Sequence, residues 1–236
     1  MRFLYKEPAV LYKKALVIGD THFGIEQKLK ERGIYDETFS ERIEKKIEAL
    51  IQETKAEKLI INGDVKDRIA LLDDTTKKIL ERLSEHVSEL IIVKGNHDGG
   101  IEMSGFTVIP PDGFAFHNLG IVHGHAWPNQ KVMGCKYILS AHQHPQLELK
   151  DKLGKKHIEP AWLIADADEN EIKKHYESFN SKSKLVLMPA FNPLVGSTIR
   201  KGEHLGPILN NNLFKLNHAL VFRVDGTLIG KLNEIK

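Results

Sequence analysis

Five short segments of the chain concentrate residues that could act on a metal ion. They carry Asp20 and His22; Asp64 and Asp67; Asn96, His97 and Asp98; His123 and His125; and His142 and His144. Each follows a short apolar run. In residues 137–145, Tyr-Ile-Leu-Ser-Ala-His-Gln-His-Pro, a strand-like run delivers two histidines onto a loop closed by a proline. Imidazoles at i and i+2 beyond a strand end can turn toward one point if the backbone bends between them, which suits metal ligation. Any one segment alone reads as ordinary turn chemistry, because Asp and Asn are favoured after strands. Five together are not explained that way.

The donor set is carboxylates, an asparagine carbonyl and imidazoles, with no thiolate, a mixed oxygen and nitrogen environment. It is too large for one tetrahedral ion and suits two ions sharing a carboxylate. Two ions about 3.5–4 Å apart can lower the pKa of a bridging water and clamp a phosphoryl group during in-line attack. The chemistry expected is therefore phosphoester hydrolysis. A redox di-iron site fits less well, since such sites favour Glu and Glu-x-x-His on helix bundles.

Elements must bring these segments together. The runs at 15–18, 58–62 and 90–94 read as core strands ending at Gly19, Gly63 and Gly95. Apolar residues at helical spacing predict helices over 36–55, with Asp36 as cap, and over 73–87, with Asp73 or Asp74 as cap. Strand, polar loop and helix in repetition predict a largely parallel sheet, whose strands share one carboxyl-end rim where ligands bind. The glycines at 19, 63, 95 and 124 let the backbone turn tightly beside that rim. After residue 100 the chain becomes strand-rich, with runs at 114–116, 121–122, 137–140, 147–149 and 184–188 and a hairpin over 219–228 around Asp225-Gly226. Residues 1–12 read as an edge strand or arm, and the lysine-rich 150–156 and 173–184 as solvated loops or helix faces. The expectation is one domain over 1–236.

Composition narrows the class. With 236 residues, 41% hydrophobic and 28% charged, the chain has the make-up of an ordinary soluble globular protein. A formal net charge of +2 excludes a polyanion binder that works by bulk charge. The single cysteine, Cys135, excludes an internal disulfide and a cysteine-cluster metal site, and reads as a buried thiol. No N-terminal run has the length of a signal-peptide core and no window approaches a membrane span, so the expected location is cytoplasmic, with no membrane partner.

Asp20-x-His22, Gly63-Asp64-x-x-Asp67, Gly95-Asn96-His97-Asp98, His123-Gly124 and His142-x-His144, in this order, resemble the calcineurin-like metallophosphoesterase superfamily. The motifs span residues 20–144. The resemblance implies an α/β fold in which two mixed β-sheets are sandwiched between helices, a four-layer αββα arrangement. It implies that Asp20, His22 and His144 hold one divalent ion, that Asn96, His123 and His142 hold a second, and that Asp64 bridges them. His97 matches the family's catalytic histidine, which stabilises developing charge or protonates the leaving oxygen. Asp98 matches its acidic partner, expected to orient His97. Asp67 supports the ligands or starts a helix. One departure is that Ala141 stands where the family has glycine, which would be strained if that position needs a positive φ.

The segments 20–26, 123–128 and 188–194 resemble a prokaryotic branch related to the SbcD nuclease subunit and to phosphoesterases encoded beside helicase and ligase genes. That implies a phosphodiesterase acting on a phosphodiester substrate such as DNA or RNA, in repair or processing. The long C-terminal capping and partner-binding regions of the full-length nuclease subunit are not in this sequence, which speaks against stand-alone processive DNA degradation. The alternatives are a phosphomonoesterase of small metabolites and a non-catalytic metal-binding scaffold. Mn²⁺ is the expected metal, while the imidazoles would equally take Zn²⁺, Fe²⁺, Co²⁺ or Ni²⁺. Lys66, Arg68 and Arg200 are candidate basic contacts for a nucleic acid. His125 and Trp127 read as buried or ligand-supporting rather than substrate-contacting. Phe191-Asn192 and the 200–204 loop read most simply as a surface turn, or could flank the pocket.

Overall fold

The continuous apolar runs near the N-terminus form the centre of a sheet covered on both faces. β1 (Arg2–Phe3), β2 (Val10–Tyr12), β3 (Ala15–Ile18), β4 (Lys58–Asn62), β5 (Glu89–Val93) and β6 (Thr107–Ile109) lie in that order. β3 to β6 are parallel, with Ala15 opposite Lys58 and Lys58 opposite Glu89, while β1 and β2 add an antiparallel edge. The computed structural model describes residues 1–36, 38–70, 72–150, 154–198 and 205–235.

α1 (Glu26–Glu31) buries none of its residues, whereas α2 (Phe39–Thr54) and α3 (Asp74–Ser84) cover the outer face of this sheet. Ile43, Ile47, Ile79, Leu80 and Leu83 pack there on Leu16, Ile18, Leu59 and Ile61. α3 is capped by Asp73, whose carboxylate accepts the Thr76 N–H at 2.8 Å. Asp36 does not cap α2. It lies ahead of the helix, accepts the Thr38 N–H at 3.3 Å and pairs with Arg42.

The second half supplies β7 (Phe114–Phe116), β8 (Leu119–Val122), β9 (Tyr137–Ser140), β10 (Pro145–Lys150), β11 (Lys156–Asp166), β12 (Lys184–Leu187), β13 (Ser197–Thr198), β14 (Leu220–Arg223) and β15 (Leu228–Lys231). They form a second mixed sheet in the order β13-β10-β11-β12-β9-β8-β7, with β14 on β11 and β15 on β14. Its centre, β8, β9 and β12, is parallel. α4 (Gln130–Met133), α5 (Glu169–Ile172) and α6 (Gly206–Asn210) bury Val132, Met133, Ile172, Ile208 and Leu209 on its outer face. Between the sheets, Val17, Ile60, Ile91 and Val93 meet Ile121, Leu139, Val186 and Met188. The layers are helix, sheet, sheet, helix, an α/β fold with two mixed sheets.

The 1–12 arm is a hairpin edge of the first sheet. The largest departure from expectation is β11, eleven residues long, which begins at Lys156, the last residue of a stretch read as a solvated loop or helix face, and runs through residues for which no strand is expected. Its first half, Lys156 to Pro160, pairs only with β10, and only from Ala161 onward does it pair with β12 and β14 in the buried sheet. Lys156, His157, Ile158 and Pro160 are exposed, and a half-strand without a buried face needs no apolar alternation, so the sequence pattern does not announce it.

Candidate metal centre

The parallel strands of both sheets end at one rim, and every candidate segment begins there. β3 delivers Asp20 and His22, β4 Asp64 and Asp67, and β5 Asn96, His97 and Asp98. β8 delivers His123 and His125, and β9 His142 and His144. The bend that lets i and i+2 donors converge is visible in the backbone. Asp20, His22, Asp64, His142 and His144 have φ of 55, 43, 48, 67 and 45°. This left-handed region is sparsely used by non-glycine residues, though Asp and His enter it more readily than most. Backbone bonds stitch the loops together: the Asp20 N–H donates to the Gly63 carbonyl at 3.0 Å, the His22 N–H to that of Asp64 at 2.9 Å, and the Ala141 N–H to that of His123 at 2.9 Å.

Two glycines are needed for close approach. A Cβ on Gly63 would stand 2.2 Å from His123 Nδ1, and one on Gly95 would stand 2.2 Å from Asp64 Oδ1. Ala141 is not among the residues of positive φ, so it is unstrained; its methyl faces Gly19, where a Cβ would meet it at 3.1 Å.

Among the described residues, three overlapping groups of donors could each hold an ion: one is His22, Asp67 and His97, and the other two take up the expected ligands. In the first of these two, Asp20, His22, Asp64 and His144 each offer an atom within 4.8 Å of the others, and in the second Asp64, His123 and His142 do the same. Asp64 belongs to both: Oδ2 lies 3.6 Å from His22 Nε2, and Oδ1 lies 3.4 Å from His123 Nε2. Asn96 Oδ1 stands 3.2 Å from His123 Nε2, at the edge of the second group. The seven residues that the resemblance implies as metal ligands stand together. They also fit divalent ions physically. Both ring nitrogens of His22 are buried and make no hydrogen bond, and His144 Nε2, 3.1 Å from Asp20 Oδ1, is not aligned for one. Buried polar atoms left this way cost free energy unless something else takes their lone pairs.

The surroundings orient the donors. His123 Nδ1 donates to the Asn62 carbonyl at 3.0 Å, which leaves Nε2 turned inward. Asn62 in turn donates from Nδ2 to the Val122 carbonyl at 3.0 Å, tying the two sheets. Asn192, fully buried, donates to the Thr21 carbonyl at 2.9 Å and braces the Asp20–His22 turn. The 200–204 loop, including Arg200, lies outside the described residues.

Asp98 is corrected in one respect. Its carboxylate accepts the Gly95 N–H at 2.8 Å and the Val65 N–H at 2.9 Å, so it shapes the loop carrying Asn96 and His97. The His97 ring is oriented instead by Asp67, whose main-chain carbonyl accepts from Nδ1 at 2.7 Å. Asp67 starts no helix. Its carboxylate stands 3.5 Å from His22 Nδ1 and accepts from Lys28 Nζ at 2.8 Å. Burial raises its pKa, but His22 and Lys28 outweigh burial and hold it below the usual carboxylate value.

Lys66 is corrected as a nucleic-acid contact. It is fully buried, and its ammonium donates to the carbonyls of Arg68, of Ile69 at 3.0 Å and of His97 at 2.7 Å. It braces the loop around His97. Lys66→Met removes these hydrogen bonds from a charged donor, a cost of about 1–3 kcal/mol. The expected result is a Tm lower by roughly 2–12 °C in thermal unfolding; an unchanged Tm would refute the brace.

Charge in the site is strongly coupled. Burial opposes ionisation of both Asp64 and His123, yet their mutual contact wins. Asp64 is held well below the usual carboxylate range and His123 is raised to about 9. His142, desolvated and facing the His123 charge, is pushed down to about 4 and is neutral at pH 7. An imidazole must be neutral to ligate. At any pH below about 9 an ion entering the second group therefore displaces a proton from His123, and none from His142 above about pH 4. Metal affinity should rise with pH up to about 9. Titration with Mn²⁺ at several pH values checks this, and a pH-independent affinity between 6 and 8 would contradict it.

His125 is part-buried, 5.2 Å between ring centroids from His123. Trp127 is 42% exposed, so its reading as a buried residue is wrong.

The fold brings to one rim clustered Asp and His donors that could bind metal. Residues 13–127, just under half of the chain, match the family model for calcineurin-like phosphoesterase. No curated protein sequence matches the chain significantly. Among solved structures, the Pseudomonas putida nuclease MPE is similar with a TM-score of 0.59 at 16% identity, covering 94% of this chain and 91% of that one. The phosphoesterase Yfce from E. coli is similar with a TM-score of 0.44 at 14% identity, covering 92% of this chain and 97% of that one. Among the described residues, no helix is long and apolar enough to cross a membrane.

Proposed function

We propose that the chain is a phosphodiesterase that works with two divalent ions and acts on nucleic acid. The observation that carries it is the Asp64 carboxylate, one oxygen turned to His22 and the other to His123. Asp20, His22 and His144 hold the first ion, Asn96, His123 and His142 the second, and Asp64 bridges. Bound ions would supply Lewis acidity toward a phosphoryl oxygen and lower the pKa of water. His97, its Nδ1 engaged by the Asp67 carbonyl and its ring centroid 5.0 Å from that of His22, steadies the developing charge or delivers a proton to the leaving oxygen. Mn²⁺ is the metal we assign, because two carboxylates and an amide carbonyl stand beside the four imidazoles of the donor set. The nucleic-acid substrate is supported by the similar fold of a protein named a nuclease.

The test is hydrolysis of bis-p-nitrophenyl phosphate against p-nitrophenyl phosphate by protein stripped of metal and reloaded with Mn²⁺. Diester preference is the expected result. Monoester preference would replace this reading with that of a small-metabolite phosphatase. No turnover of either, with two ions bound, would replace it with that of a scaffold.

A further inference from the structure

Of the two tryptophans, Trp162 is 3% exposed in the core and Trp127 is 42% exposed at the rim. Trp127 is not a stray surface residue. Its indole lies 4.6 Å from the His175 ring with planes 39° apart, and 6.3 Å from the Tyr176 ring. The Tyr176 hydroxyl donates to the Pro128 carbonyl at 2.8 Å, which clamps the aromatic group to the loop beyond His123 and His125. That loop is itself packed close: a Cβ on Gly206 would lie 2.0 Å from the Gly124 carbonyl oxygen. The indole is therefore held in place beside the donor loop before any ligand arrives, at little further cost in side-chain freedom.

We infer that Trp127, backed by His175, is a stacking platform for an unpaired nucleobase adjoining the scissile phosphate. This rests on the nucleic-acid reading above. Four residues separate Trp127 from His123, at most about 14 Å of extended chain. A base next to a phosphate held at the rim falls within that reach. Charge is not the recognition element here, since Lys173 and Lys174, just before His175, are paired with Glu169 and Glu171. Stacking on an aromatic ring accepts every base and needs the base free of its own duplex stack, so the platform selects single strands and frayed ends over closed duplex.

The experiment is a titration of the full chain with a hydrolysis-resistant phosphorothioate oligothymidylate, read by intrinsic tryptophan fluorescence. Trp162 is sealed in the core, so quenching reports Trp127. The expected result is quenching by the oligonucleotide, none by an abasic strand of the same length, and about tenfold weaker binding by Trp127→Leu, with Trp127→Phe restoring most of it. Equal affinity of wild type and Trp127→Leu, or equal affinity for the oligonucleotide and the abasic strand, would overturn the platform. An oligonucleotide that quenches Trp127 but is not cleaved by Mn²⁺-loaded protein would sink the nuclease reading and leave the platform standing. Cleavage with the same KM in wild type and Trp127→Leu would do the reverse.

Discussion

Asp64→Asn should purify folded, bind neither ion at stoichiometric level and show no measurable diesterase turnover. The residue is the one donor common to the two groups of expected ligands, with separate oxygens 3.6 Å from His22 Nε2 and 3.4 Å from His123 Nε2. An amide keeps the shape but offers one acceptor oxygen in place of two, and it removes the only charge the two groups share. Its NH₂ also turns a donor toward atoms that are themselves meant for cations. The main-chain bond from His22 N–H to the Asp64 carbonyl survives, so the turn persists. Elemental analysis of the purified variant, alongside circular dichroism, decides the matter. Two retained ions would show that the groups fill independently and that Asp64 does not bridge.

His97→Ala is expected to keep its metal and lose about two to four orders of magnitude in kcat, the scale of a positioned acid or base. The geometry makes this separable from misfolding. The His97 main chain, which donates to Asp64 Oδ1 at 2.9 Å and accepts from Lys66, is untouched by the substitution. Only the ring is lost, and with it the bond to the Asp67 carbonyl. The competing possibility is concrete, because His22, Asp67 and His97 also lie close enough to one another to hold an ion. Metal content falling in step with activity would make His97 a ligand rather than an acid or a stabiliser of charge.

The donors were legible because each follows an apolar strand whose end can be read from hydrophobicity alone, and parallel strands must finish on one rim. The partners of those donors were not. Asp98 sits where a carboxylate beside a histidine is expected to orient it, yet backbone amides claim its oxygens and a carbonyl claims the ring. Bonds to the main chain carry no signature in residue type. Lys66 misleads for the converse reason: a lysine in a polar loop is ordinarily solvated, and only the closure of residues 66–69 around His97 buries it. Trp127, four residues past a ligand, has the composition of a core residue, and its exposure depends on α5 and the turn after it arriving from far along the chain. In β11, the exposed first half suppresses the alternation that would have marked it.

The left-handed turns at Asp20, His22, Asp64, His142 and His144 also bear on how long the folded chain persists. Each such turn costs on the order of 1–2 kcal/mol for a non-glycine residue. Together they draw on a net stability that for most domains is only about 5–15 kcal/mol. Ions that bind the folded form alone return free energy by mass action, about 2.7 kcal/mol at a hundredfold excess over Kd. Divalent ions bound as proposed would thus raise the population of folded chain as their free concentration rises.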